Sequence, residues 1–142
     1  MPVILQIALG SATLLICAML HIAMISAMIS HLRSHHYLRA RPSNIRRMAL
    51  VAALFLVSLT SHTIHVYIHA FSIWAVGALD GYEQPIYFAL VTYTTVGYGD
   101  VVLSPDFRIL GGMISVTGIL MFGMTTAFLV GLFNRVLGER DI

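Results

Sequence analysis

The sequence has no lysine, one cysteine, one tryptophan and few charges of either sign. The single thiol, Cys17, excludes a disulfide framework and a thiolate metal cluster. Charged residues make up 10% of the 142 residues and the mean hydropathy is +0.88, which excludes a soluble domain of this size. The chain therefore reads as a membrane protein. The first apolar run has no basic start and is too long for a cleaved leader, so it reads as a span. No span carries arginine at every third position, which excludes a voltage sensor. All eight basic residues are arginine, and nothing in the sequence explains the absence of lysine.

What is present divides the chain into three apolar runs and two polar interruptions. Residues 1–30 form a first transmembrane helix; at about 1.5 Å per residue a run of this length covers a hydrocarbon core of roughly 30 Å. Residues 31–47 form a basic linker that holds five of the arginines, Arg33, Arg39, Arg41, Arg46 and Arg47. Beside two spans, such a patch is a cytoplasmic retention signal and a contact for anionic lipid headgroups, not a nucleic-acid site. Residues 48–142 form the remaining unit: an outer helix at 48–79, a short helix at 84–94, a non-helical stretch at 95–100, an inner helix at 109–133 and a short cytoplasmic tail. The short helix cannot span, so it dips in and stops, which lipid tolerates only where protein or water surrounds its end. The charge distribution predicts a multi-pass protein of the cell's inner membrane, with its N-terminus outside and its C-terminus cytoplasmic. Asp80, Glu83, Asp100 and Asp106 then gather on the outer face, where acidic loops concentrate cations.

The stretch Thr94-Thr95-Val96-Gly97-Tyr98-Gly99-Asp100 organises the rest. Gly97 and Gly99 are free to take positive φ, so the backbone can alternate in handedness and aim successive carbonyls at one axis. The carbonyls of Thr95, Val96, Gly97 and Tyr98 and the Thr95 hydroxyl offer the hard oxygen ligands that an alkali cation prefers. One chain supplies one side of such a ring, so four copies are needed.

These seven residues resemble the selectivity filter of tetrameric potassium channels, and the match is complete. The resemblance covers the short helix, filter and inner helix, with the outer helix supplied by the second span. It implies an all-α membrane protein with three transmembrane helices, a re-entrant pore helix and a filter, assembled as a homotetrameric channel of the small bacterial type. It also implies passive potassium conduction, no catalytic chemistry and no cofactor beyond the permeant ion. In this family a glycine at the position of Gly118 hinges the inner helix, with close helix packing as the alternative, and Ile119, Phe122, Thr126 and Val130 would line the path. Thr94, Gly99, Asp100, Tyr87 and Tyr93 would support the filter. Where some members carry a carboxyl to brace the filter aspartate, this chain has Val91, which leaves Tyr87 as the expected partner of Asp100. Tyr87, Phe88 and Tyr93 would replace the usual tryptophan cuff. With nine residues after Phe133, no nucleotide- or calcium-binding gating domain is expected from this stretch.

His62, His65 and His69 recur at i, i+3 and i+7 on one face of the second span. They read as hydrogen-bonded packing, as a pH sensor or as metal ligands. His21 stands by itself in the first span as a core histidine, and His31, His35 and His36 belong to the solvated linker. The rival functions are a pH- or metal-responsive nonselective cation channel and a metal or cation transporter built on the histidine face.

Overall fold

The structure, a computed structural model, describes residues 1–34 and 43–137. Four helices follow one another: α1 (Val3–Ser34), α2 (Asn44–Ala75), α3 (Glu83–Tyr93) and α4 (Arg108–Leu137). Among the described residues there is no strand, so the all-α expectation holds. Three segments are long and apolar enough to cross a bilayer, Val3–His31, Asn44–Ala75 and Arg108–Gly131, and the protein is a membrane protein. At 11 residues α3 is too short to cross. His35, His36, Arg39 and Arg41 of the basic linker and the 138–142 tail lie outside the described residues.

The helix ends follow local chemistry. The Ser43 hydroxyl accepts from Arg46 N at 3.4 Å, which starts α2. α2 ends at Ala75, four residues short of the expected 79, because Gly77 turns left-handed at φ 68°. The N–H of Gly77 then reaches Trp74 O at 2.9 Å and that of Ala78 reaches Ile73 O at 3.0 Å. This double bond pattern satisfies carbonyls that a helix end otherwise leaves open. Glu83 places a negative charge in the first turn of α3, where the helix dipole favours it.

α3 is wedged between α2 and α4, and α1 lies along both α2 and α4. The apolar core joins Val66, Ala70 and Ile73 of α2, Phe88, Ala89 and Tyr93 of α3, and Ile114 and Met121 of α4. α1 and α4 begin at the same end of the bundle. The buried Gln6 side chain crosses from α1, and its Oε1 accepts from Ile109 N at 3.1 Å and Leu110 N at 3.2 Å. Those N–H groups belong to the first turn of α4, where no carbonyl precedes them within the helix. Four residues on, Gly10 lets the helices close, since a methyl there would stand 2.6 Å from Met113 Cβ.

Candidate functional site

The loop that follows α3 is fixed by hydrogen bonds that use its N–H groups and leave its carbonyls open. Thr95 N donates to Thr92 O at 3.0 Å and Gly97 N to Val91 O at 3.1 Å, so the loop is sewn back onto the last turn of α3. The Thr94 hydroxyl donates to Leu90 O at 2.8 Å, and Ser115 of α4 donates to Thr92 O at 3.1 Å. The carbonyls at the end of α3 are thus largely occupied. Backbone handedness alternates: Thr95, Gly97 and Gly99 take φ of 61°, 53° and 80°, while Val96 and Tyr98 between them do not turn positive. The glycines were legible as such positions; Thr95 was not, because a β-branched residue pays for this conformation. No carbonyl of Thr95, Val96, Gly97 or Tyr98 accepts a hydrogen bond among the described residues. Val96 and Tyr98 are 51% and 74% exposed, so this wall of the chain faces open space.

At the far end of the loop Tyr87 donates its hydroxyl hydrogen to Asp100 Oδ2 at 2.6 Å, and Val101 N donates to Oδ1 at 3.1 Å. The Tyr87 bond holds the Asp100 carboxyl below the usual carboxylate range. The other aromatics of the expected cuff part company with Tyr87. Phe88 is buried in the core, and Tyr93 is buried at the opposite end of α3 with its hydroxyl turned toward α2. Val91 is buried as well.

On α4, Gly118 meets the end of α3 so closely that a Cβ would overlap the Tyr93 carbonyl. Gly111 also packs tightly, against Phe88 and Leu103, whereas Gly112 and Gly123 have nothing within 4 Å of an added Cβ. The helix continues unbroken through Gly118. Ile119, Phe122, Thr126 and Val130 are all exposed on the isolated chain. Phe122 additionally stacks on His62, with ring centroids 4.5 Å apart.

The three histidines of α2 divide. His62 Nδ1 and His65 Nδ1 both hydrogen-bond the Tyr93 hydroxyl, at 2.8 and 3.0 Å. His69 stands apart, with Nε2 3.9 Å from Cys17 Sγ and Nδ1 buried without a partner. His21, read from sequence as a solitary core residue, instead touches Ser61 at 2.9 Å and Thr125 at 3.1 Å. No group of three or more His, Cys, Asp or Glu side chains is placed to hold a metal ion among the described residues. Sequence reasoning also passed over Gln6. The signal for both was present, because Gln6, Gly10, Thr13, Cys17 and His21 recur at helical spacing and all are buried.

A family model described as an ion channel matches residues 52–135, more than half of the chain. Among curated proteins, the chain is 46% identical over 56 residues to the potassium voltage-gated channel protein shk-1 of Caenorhabditis elegans. That stretch is 39% of this chain and 10% of the relative, so the chain spans about a tenth of the relative's length. No solved structure matches the chain.

Proposed function

The chain belongs to the ion-channel family, and from that premise we propose that it conducts potassium selectively as a homotetramer. The observation that carries this reading is the run of four carbonyls, Thr95 to Tyr98, with alternating backbone handedness and no hydrogen-bond partner. Four such runs around one axis replace the oxygens of an ion's hydration shell, with the Thr95 hydroxyl closing the inner end. Thr94, Gly99, Asp100, Tyr87 and Tyr93 hold the run in place. Repulsion between neighbouring ions keeps conduction fast, and no chemical step or cofactor is involved. Ile119, Phe122, Thr126 and Val130 line the path below, and bending of α4 near Gly118 closes it. In the cell membrane the filter end of the bundle faces outward, the start of α1 lies with it, and the C-terminus is cytoplasmic. The arginines of the 31–47 stretch meet anionic lipid.

Planar-bilayer recording under opposed potassium and sodium gradients tests this. Unitary currents that reverse near the potassium potential are expected, and Gly97→Ala abolishes them because alanine resists the φ of 53° held by Gly97. Currents that do not distinguish the two ions, or slow saturable uptake in place of unitary steps, sink the proposal. So does a Gly97→Ala channel with unchanged conductance and selectivity.

A further inference from the structure

The bonds of His21, His62 and His65 close on themselves. From Tyr93 Oη the path runs to His62 Nδ1 (2.8 Å) and from His62 Nε2 to Thr125 Oγ1 (3.0 Å). It continues from Thr125 to His21 Nε2 (3.1 Å) and from His21 Nδ1 to Ser61 Oγ (2.9 Å). Ser61 then meets His65 Nε2 (3.3 Å), and His65 Nδ1 returns to Tyr93 Oη (3.0 Å). Three hydroxyls and three imidazoles alternate around the ring. One residue each comes from α1, α3 and α4, and three come from α2. Among the described residues this is where all four helices meet in one set of side-chain hydrogen bonds.

Hydrogen counting decides what the ring needs. Each hydroxyl brings one hydrogen and each neutral imidazole one N–H, so six hydrogens meet six gaps. Every member donates once and accepts once, and no buried polar atom of the ring is left over. A proton added to any imidazole makes seven hydrogens for the same six gaps. One gap then holds two hydrogens facing each other, or one hydroxyl accepts twice and turns its own hydrogen out of the ring, and either way the closed cycle is broken.

We propose that this ring is a proton-sensitive latch that positions the filter: closed while His21, His62 and His65 are neutral, opened when one of them is protonated. Its grip on the filter is short. Tyr93 precedes the first filter carbonyl, that of Thr95, by two residues, and its phenol is held from both sides by His62 and His65. Thr125 ties the same ring to α4, so opening loosens α3 and α4 together. A proton has a way in at His62. This half-buried residue borders a cavity of about 310 Å³ that Leu90, Thr94 and Phe122 also line.

The surroundings leave the histidines as the groups that respond. Besides the ring members, the titratable side chains facing it are Cys17 on α1 and His69 on α2, which contact each other. α4 contributes Thr125 and the apolar Phe122. No Asp, Glu or Arg lies within residues 3–30, 48–79, 84–94 or 109–134, so no carboxylate stands ready to pair with an imidazolium.

The functional half of the proposal rests on the channel reading above, and the experiment separates the two. Open probability of the full chain in bilayers is recorded at matched pH on both sides, from about pH 8 to about pH 3.5, a window that extends well below the ordinary histidine range. The wild type is expected to lose open probability by about fivefold, the factor one hydrogen bond is worth. The triple variant His21→Gln, His62→Gln, His65→Gln keeps one donating and one accepting group at each position without a site for the proton, and its response is flat. Thr125→Val and Ser61→Ala break the ring without touching a titratable group, so each already shows the acid level of opening at neutral pH. A wild type insensitive to acid, an acid response that survives the triple change, or Thr125→Val and Ser61→Ala channels that open like wild type at neutral pH each overturn the latch. Nitrogen NMR of ¹⁵N-histidine protein in bilayers gives a readout independent of current. One protonated and one bare nitrogen on each of the three rings at neutral pH supports the ring, and an imidazolium there overturns it. Loss of potassium selectivity with this spectrum intact defeats the channel reading alone.

Discussion

At the scale of single residues, the bond from Tyr87 to Asp100 shows how the end of the 95–100 loop is braced without a second carboxyl. The carboxylate is the acceptor, so the bond favours the ionised form and holds the Asp100 pKa down. A carboxylate whose folded pKa lies below its unfolded value stabilises the fold above that unfolded value, near pH 4, and ceases to do so as acid takes pH through the folded value. Tyr87→Phe removes the donor, so Asp100 titrates at a higher pH and this end of the loop loosens earlier on acidification. Carbonyl NMR of labelled aspartate measures this directly: the variant's midpoint moves up, and an unmoved midpoint means the bond does not tune the group. That Asp100 needed a partner was legible from Val91 standing at the usual bracing position. The left-handed Thr95 was not legible, since its conformation is imposed by the two bonds that sew the loop onto α3. The separation of Tyr93 from Tyr87 was equally hidden, because helical spacing gives a residue's face but not which neighbouring helix fills it.

At the scale of elements, the crossing of α3 and α4 sets where the 95–100 loop stands, and Gly118 sets the crossing. Its missing side chain admits the Tyr93 carbonyl. Gly118→Ala forces the helices apart at a cost of about 2 kcal/mol or more, since the group struck is backbone and cannot swing away. Gly123→Ala meets nothing within 4 Å in the chain. If packing is what Gly118 supplies, its alanine variant melts well below the Gly123→Ala protein in thermal denaturation. Equal melting temperatures with altered gating would point to the hinge instead. α1 lies outside the matched 52–135 region, yet Gln6 on the first turn of α4, Gly10 against Met113 and the bonds of His21 to Ser61 and Thr125 all tie it there. The three long helices were legible from their apolar runs. Which face of α1 turns inward was harder to read, because lipid reverses the usual pattern. The outward residues Ile4, Leu15 and Met19 are the large apolar ones, while Gln6, Thr13 and His21 are buried. In hydrocarbon it is the polar and small residues that gain by facing protein.

At the scale of the whole molecule, the isolated chain leaves two different surfaces uncovered. Exposed Phe55, Leu56, Leu59, Phe71 and Trp74 on α2 suit lipid. The loop from Thr95 to Asp100 does not, because its free carbonyls would be orphaned in hydrocarbon and are tolerated only against protein or water. The proposed arrangement of copies around one axis would meet that requirement, with the loops facing a watery path and the exposed stripe Ile119, Phe122, Thr126 and Val130 lining it below. The number of copies has a direct measure, since native mass spectrometry from nanodiscs is expected to give four times the chain mass of 15.6 kDa. A potassium ion that binds only the closed ring must also stabilise that ring by mass action. The assembly therefore dissociates at a higher temperature in potassium than in an equal concentration of sodium, and Gly97→Ala erases the difference. Particles of one or two chains would leave the carbonyls without a ring. A tetramer equally stable in both salts would mean that the ring, though formed, does not hold the ion.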